Sequence, residues 1–169
     1  MRVSTHRGGS TGAHVARFRC AYINSPPAKP ARMYPAELTI PMSRDLTDYN
    51  FKGLKTPEEV DELLDRTDGT TLLVVNSVCG CAAANARPGA KYSLDNDKRP
   101  DRLATVFAGV DRAATARARE FLLPYPPSSP SIALFKDGKL VHFLERHHIE
   151  GRSAEVIAQN LKLAYDRFC

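Results

Sequence analysis

Two cysteines separated by a single glycine, Cys79-Gly80-Cys81, are the residues of this chain best suited to chemistry. A thiolate is a strong nucleophile and a metal ligand, and two thiols this close can exchange a disulfide. An apolar run rich in leucine and valine, residues 71–78, ends just before Cys79, and an alanine-rich segment begins at Ala82. The first reads as a buried strand and the second as the start of a helix. Thiols at such a junction face unpaired N–H groups and the positive end of the helix dipole, both of which favour thiolate over thiol. Type and position together point to a redox or nucleophilic pair.

The one-residue spacer has a mechanical meaning. On a regular helix, residues i and i+2 point to different sides, whereas a disulfide needs β-carbons within about 4.5 Å. Closure between Cys79 and Cys81 therefore demands a non-helical turn, which Gly80 adopts at little steric cost. The expected disulfide is strained and easily reduced, so an external thiol competes with Cys81 in resolving an adduct on Cys79.

The elements that must hold this pair can be read along the chain. Pro41 opens a short helix over 41–49. Thr56-Pro57-Glu58-Glu59 carries a cap, a proline at the first helical position and a capping box, followed by the apolar stripe Val60, Leu63 and Leu64. Asp68-Gly69 turns the chain into strand 71–78. After the cysteines a short helix stops at Pro88-Gly89, and polar residues 90–102 form an exposed connection. A second buried strand spans 103–110, and Asp111 caps a helix through about Leu122. A proline-dense loop, 124–130, leads into two strands, 131–135 and 139–144, joined by a tight turn at Lys136-Asp137-Gly138. Ser153 caps a final helix with Val156, Ile157, Leu161, Leu163 and Tyr165 on or near its buried face. The order predicts an α/β fold: a mixed sheet with two parallel strands, an edge hairpin and helices on both faces.

Composition sets the class. At 169 residues, 43% hydrophobic and 25% charged, the chain is an ordinary globular domain. Its net charge of +5 suggests a polyanion partner until it is divided along the chain. Six of the 24 basic residues and none of the 19 acidic ones lie in residues 1–32, leaving 18 against 19 in the rest. The body is neutral, which argues against nucleic acid. Residues 1–32 are expected to be a disordered basic extension, with Met33 as an alternative start; Cys20 falls there and receives no role. No run approaches the ~20 apolar residues that span a bilayer, and four scattered cysteines do not make a secreted disulfide framework. A reducing cytoplasm is the expected compartment.

A strand-to-helix thiol pair, a proline loop before a hairpin, and this element order resemble the thioredoxin fold. Residues 76–88 around the cysteines, with Thr105-Val106-Phe107-Ala108-Gly109 and Ser128-Ser129-Pro130-Ser131, resemble more narrowly the bacilliredoxins, thioredoxin-like proteins with a Cys-Gly-Cys centre. The resemblance covers residues 33–169 and implies removal of bacillithiol, a small thiol, from mixed disulfides on cytosolic proteins. By that resemblance Cys79 attacks, Cys81 resolves, Gly80 shapes the turn, and Ser129 with a cis Pro130 presents backbone to a substrate chain. Bacillithiol would be the co-substrate, with no tightly bound cofactor or metal, and a separate reductase would recycle the pair. A weaker general disulfide isomerase or reductase activity is also associated with the family.

The plainer alternatives are a buried structural pair and a zinc or copper(I) site, for which Cys-x-Cys supplies only two ligands. His147-His148 would point apart at an exposed strand end. Arg87 reads as a solvated surface residue, with carboxylate binding or thiolate stabilisation as its functional alternative. Asn76 and Ser77 either orient the site by hydrogen bonds or pack the strand end. Cys169 is peripheral or an extra mobile thiol.

Overall fold

The computed structural model describes Met1 and residues 34–169. The expectations for the basic extension, Cys20 and Met33 lie outside the described residues.

The centre of the fold is a strand buried along its whole length, β2 (Thr70–Asn76). It pairs parallel with β3 (Arg102–Phe107) on one side, Leu73 opposite Ala104, and antiparallel with β4 (Ser131–Lys136) on the other, Leu73 opposite Ala133. β4 continues antiparallel into β5 (Lys139–Leu144), and a two-residue edge strand, β1 (Lys52–Gly53), lies parallel to β3. The sheet order is β1-β3-β2-β4-β5. β1 is invisible to periodicity because two residues cannot show an alternation. At the β4–β5 turn Asp137 and Gly138 both have positive φ, 49° and 75°, the backbone that matches the twist of a tight hairpin.

Side chains alternate across β2, so each face builds its own core. Leu72 and Val74 join Ile132, Leu134, Ile157, Leu161 and Tyr165 on one face. Leu73 and Val75 join Val60, Leu64, Val106, Ala118 and Phe135 on the other. The first core is covered by α1 (Ala36–Thr47), α3 (Arg87–Ser93) and α6 (Ala154–Phe168), the second by α2 (Pro57–Leu64) and α4 (Arg112–Glu120). This is the thioredoxin-like architecture that the resemblance implies.

Local signals explain several boundaries. Thr56 Oγ1 accepts from the Glu59 N–H at 3.3 Å while Glu59 Oε2 accepts from Thr56 and Lys55 N–H, which closes the expected capping box. Ser153 caps α6 through the N–H of Val156. On α6, however, Val156 and Leu163 are exposed; Ala154, Ala158 and Ala164 complete the inward stripe instead. Asp111 stands at the N-cap position of α4, where its carbonyl accepts from Thr115, but its side chain makes no capping bond. α1 begins at Ala36, five residues before Pro41, which sits inside the helix on its exposed side.

The largest departure from the sequence reading is at Pro88-Gly89. The chain does not stop there: it passes through a π-helical turn, Ala82–Ala86, and continues as α3 to Ser93, so Ala90 and Ser93 are core residues rather than connection. In the wide turn the Arg87 N–H reaches the carbonyl of Ala82, five residues back. That shift in the hydrogen-bond ladder relieves the clash a proline otherwise makes with the carbonyl four residues before it. Gly89 is a contact residue. A β-carbon there would lie 2.7 Å from Ile157 Cγ2 and 3.1 Å from the Ala154 carbonyl, so its absence lets α3 and α6 approach.

Gly89→Ala is accordingly expected to lower stability by about 1–3 kcal/mol through overpacking, measured as a lower urea midpoint. At Gly80, by contrast, a β-carbon meets open space, and Gly80→Ala is expected to match or exceed the parent by up to about 1 kcal/mol. Equal midpoints for the two variants would contradict the packing role of Gly89.

Candidate active site

Cys79 lies three residues beyond the end of β2, where the chain turns into the helix carrying Cys81. Its carbonyl accepts from Ala82 N–H at 3.1 Å and Ala83 N–H at 3.3 Å, so Cys79 is the capping residue of that helix. Both cysteines are half-buried and present as free thiols. Cys79 stands outside the helical spiral, and the neighbouring Cys81 thiol acts on it despite the i, i+2 spacing.

The junction is held from below by a buried polar cluster. Asn76 donates to the Met42 carbonyl at 3.1 Å and accepts at Oδ1 from Ser77 N–H (2.9 Å) and Arg87 Nη1 (3.2 Å). Arg87 also donates from Nε to Asp45 at 2.7 Å and from Nη1 to the Ser77 carbonyl at 3.4 Å. Lys91 donates to the second Asp45 oxygen at 2.5 Å. Arg87 is only 5% exposed, so the expected surface arginine is an internal brace between α1, the end of β2 and α3. Burial pushes the Asp45 carboxyl up, but hydrogen bonds from Lys91 and Arg87, with their charges, hold it below the usual carboxylate range.

The two thiols are driven in opposite directions. Burial would raise Cys79, yet hydrogen bonds from the Cys81 thiol, the Ser77 hydroxyl (3.2 Å) and the Ala82 N–H, together with the charge of Arg146, bring it below the ordinary thiol value. Cys81 is raised by burial, by the hydrogen bond it gives to Cys79 and by the negative charge on Cys79; Arg146 offsets this only in part. Cys79 is therefore the more acidic of the two thiols, which favours it for nucleophilic attack, and Cys81 is biased toward its protonated form.

Cys79 opens onto a cleft of ≈ 530 Å³ whose other walls include Arg112, Thr115, Arg119, Ser129 and Arg146. Ser131 pairs with Val75 at the end of β2, which brings residues 129–130 alongside the junction. The Ser129–Pro130 peptide is cis and Pro130 is buried. A second cis bond, Leu123–Pro124, lies in the same loop. Ser128 Oγ accepts from the Arg146 N–H at 2.7 Å, and its carbonyl accepts from Ser131 Oγ at 3.1 Å.

Gly80 differs from its expected role in one respect. It is already helical, without positive φ, so its conformational freedom is not used in the dithiol state. His147 and His148 also depart from expectation. They belong to a short helix, α5 (Arg146–Ile149), rather than a strand end, and their rings lie 3.8 Å apart. His148 Nδ1 accepts from Glu145 N–H at 3.1 Å, and side-chain atoms of Glu145, His147 and His148 fall within 4.8 Å of one another. Cys169 is an exposed thiol at the chain end. Sequence reasoning missed Arg146, which nothing near Cys79 in the chain announces. It also missed Arg112 and Arg119, although their seven-residue spacing on a helix was a usable signal.

Alkylation by iodoacetamide should modify Cys79 before Cys81, with a rate that rises through a midpoint below the ordinary thiol value and then levels off. Ser77→Ala removes one hydrogen bond to the thiolate, so its midpoint should move up. A profile for Ser77→Ala that overlays the parent would remove Ser77 from the account of thiol acidity.

Among the described residues no helix is long and apolar enough to cross a membrane. The family model described as "Disulphide isomerase" matches residues 34–169. A bacilliredoxin of Cytophaga hutchinsonii is 58% identical over 134 residues, covering 79% of this chain and 98% of that protein. One from Halalkalibacterium halodurans is 54% identical over 136 residues, covering 80% and 94%. Among solved structures, oxidised mitochondrial thioredoxin 3 of Saccharomyces cerevisiae aligns over 70% of this chain and 96% of its own, at 16% identity and a TM-score of 0.47. With an acidified thiol and a partner thiol at the end of the central strand, the chain belongs to the disulphide isomerase family, alongside the bacilliredoxins, as a thiol–disulfide oxidoreductase.

Proposed function

We propose that this protein removes bacillithiol from mixed disulfides on cytoplasmic proteins. The observation that carries the reading is the asymmetry of the pair: at the mouth of a cleft, Cys79 is shifted toward thiolate and the neighbouring Cys81 toward thiol. The names of its relatives support the choice of small thiol.

In the first step the Cys79 thiolate attacks the bacillithiol sulfur of a protein–S–S–bacillithiol substrate. One S–S bond breaks and another forms, and the protein sulfur leaves as a thiolate that takes a proton from water. Once Cys79 is neutral in the adduct, the negative charge that holds the Cys81 proton is gone, and Cys81 ionises more readily. Cys81 then attacks Cys79 sulfur, expels bacillithiol as its thiolate and closes the intramolecular disulfide. A dithiol reductase returns two electrons to the pair. Closure takes Gly80 and Cys81 out of the helical turn they occupy, so an external thiol attacking the adduct is a competing exit. Ser129 and the cis Pro130, beside the junction, would offer backbone to a client chain that runs past them as an extended segment. The same loop also favours a second reading, a general disulfide isomerase or reductase that handles protein disulfides without regard to the small thiol.

The test presents Cys79→Ser and Cys81→Ser proteins with one client carrying either bacillithiol or glutathione, read by intact mass. Cys81→Ser should accumulate the bacillithiol adduct and Cys79→Ser should not. Equal capture by both variants would overturn the assignment of roles. Equal rates with bacillithiol and glutathione would favour the general reductase.

A further inference from the structure

The wall of the cleft facing Cys79 carries more positive charge than the described residues neutralise. Arg112, Thr115 and Arg119 lie at positions i, i+3 and i+7 of α4, so they share one face of the helix, and all three line the cleft with Cys79 and Arg146. No carboxylate is among its described lining residues. Arg146 is paired with Glu150 at 3.3 Å. Arg117, on another side of α4, takes Asp61 and Glu120. Asp111, just before Arg112, lines a separate cavity toward α1. Arg112 and Arg119 make no ion pair among the described residues.

Two buried atoms in this wall lack partners among the described residues. Thr115 is 3% exposed and its Oγ1 finds no hydrogen-bond partner there; Arg119 Nε is likewise buried and unsatisfied. A buried donor left unmade costs about 1–3 kcal/mol, so such groups in a native fold ask for a ligand or ordered solvent. The guanidinium fork matches a carboxylate in two parallel hydrogen bonds. A cleft of ≈ 530 Å³ lies in the size range of small-molecule sites, about 300–1,000 Å³, and is small for a folded protein surface.

We propose that Arg112, Thr115 and Arg119 form a carboxylate subsite that receives the non-sulfur end of the small thiol while its sulfur is joined to Cys79. The proposal rests on the reading of Cys79 as the thiol that takes over a small-thiol adduct. It adds that the adduct is chosen by its negative charge. Thr115 donates to the same carboxylate that Arg119 holds, and Arg112, nearer the solvent, receives a second one. Small thiols without carboxylates leave this wall unsatisfied and are transferred more slowly.

The probe is one reporter peptide carrying a mixed disulfide with either mercaptosuccinate, which has two carboxylates, or 2-mercaptoethanol, which has none. The full-length protein is mixed with each at low ionic strength, and the rate of peptide thiol release is recorded. Parallel Cys81→Ser samples identify the adduct on Cys79 by intact mass. The parent should prefer mercaptosuccinate, and the ratio of the two rates should fall about tenfold or more in Arg119→Gln, the scale of a lost hydrogen bond to a charged group. Arg112→Gln and Thr115→Val should lower it less, Arg119→Lys should recover part of it, and Arg117→Gln should leave it in place. Because both rates come from one preparation, partial unfolding cancels. A parent ratio near one, or equal ratios in the parent and Arg119→Gln, overturns the subsite. A retained, arginine-dependent ratio in a protein indifferent to bacillithiol upholds the subsite and rejects bacillithiol as the substrate. Bacillithiol transfer with an arginine-independent ratio does the reverse.

Discussion

The arrangement depends on one buried charge. A guanidinium removed from water is tolerated only if its donors are met, and a missing partner typically costs about 3–5 kcal/mol. Arg87 finds its partners on different elements: Asp45 on α1, Asn76 at the end of β2 and the Ser77 carbonyl just beyond it. Meeting its needs therefore fixes where β2 ends relative to the helix that follows. Ser77, whose hydroxyl touches Cys79, is one of the residues so fixed. The acidity of the nucleophile is in this sense inherited from a residue that never contacts it.

The two cysteines illustrate how little covalent difference is needed to divide labour. Both are half-buried, and each acts on the other's acidity. What separates them is that Cys79 receives hydrogen bonds from its surroundings while Cys81 donates one. The helix start supplies the Ala82 N–H, the strand end supplies Ser77, and Arg146 arrives from a distant segment. Burial opposes all of them, so the lowered pKa of Cys79 is a sum of several contributions.

Much of this was legible in the residues. The capping box at Thr56, the seven buried residues of β2, the hairpin turn at Asp137-Gly138 and the placement of Cys79-Gly80-Cys81 all follow from local chemistry. The misreadings share a cause, which is that tertiary contacts overrode local signals. Pro88-Gly89 has the composition of a stop, but a wide turn accommodates the proline and a neighbouring helix needs the glycine. That same turn spoils a residue count: at 3.6 residues per turn Arg87 falls on an uncertain side of the helix, and one five-residue hydrogen-bond step changes its phase. His147-His148 looked like a strand end because four residues of helix are too few to display a period. The spacing of Arg112 and Arg119 marks one helix face, yet the wall they form exists only once α4 is folded beside the β2–α3 junction.

Ser128 ties two parts of the site to one point. Its hydroxyl holds the Arg146 backbone and its carbonyl receives Ser131, while the next residue, Ser129, faces the cleft. The loop that a client would lie against and the cation that acts on both sulfurs thus share a mechanical reference. Errors in their positions are correlated rather than independent: a loop displaced by some fraction of an ångström carries the charge with it. A surface segment tied in this way can yield without losing its alignment to the thiols beside it.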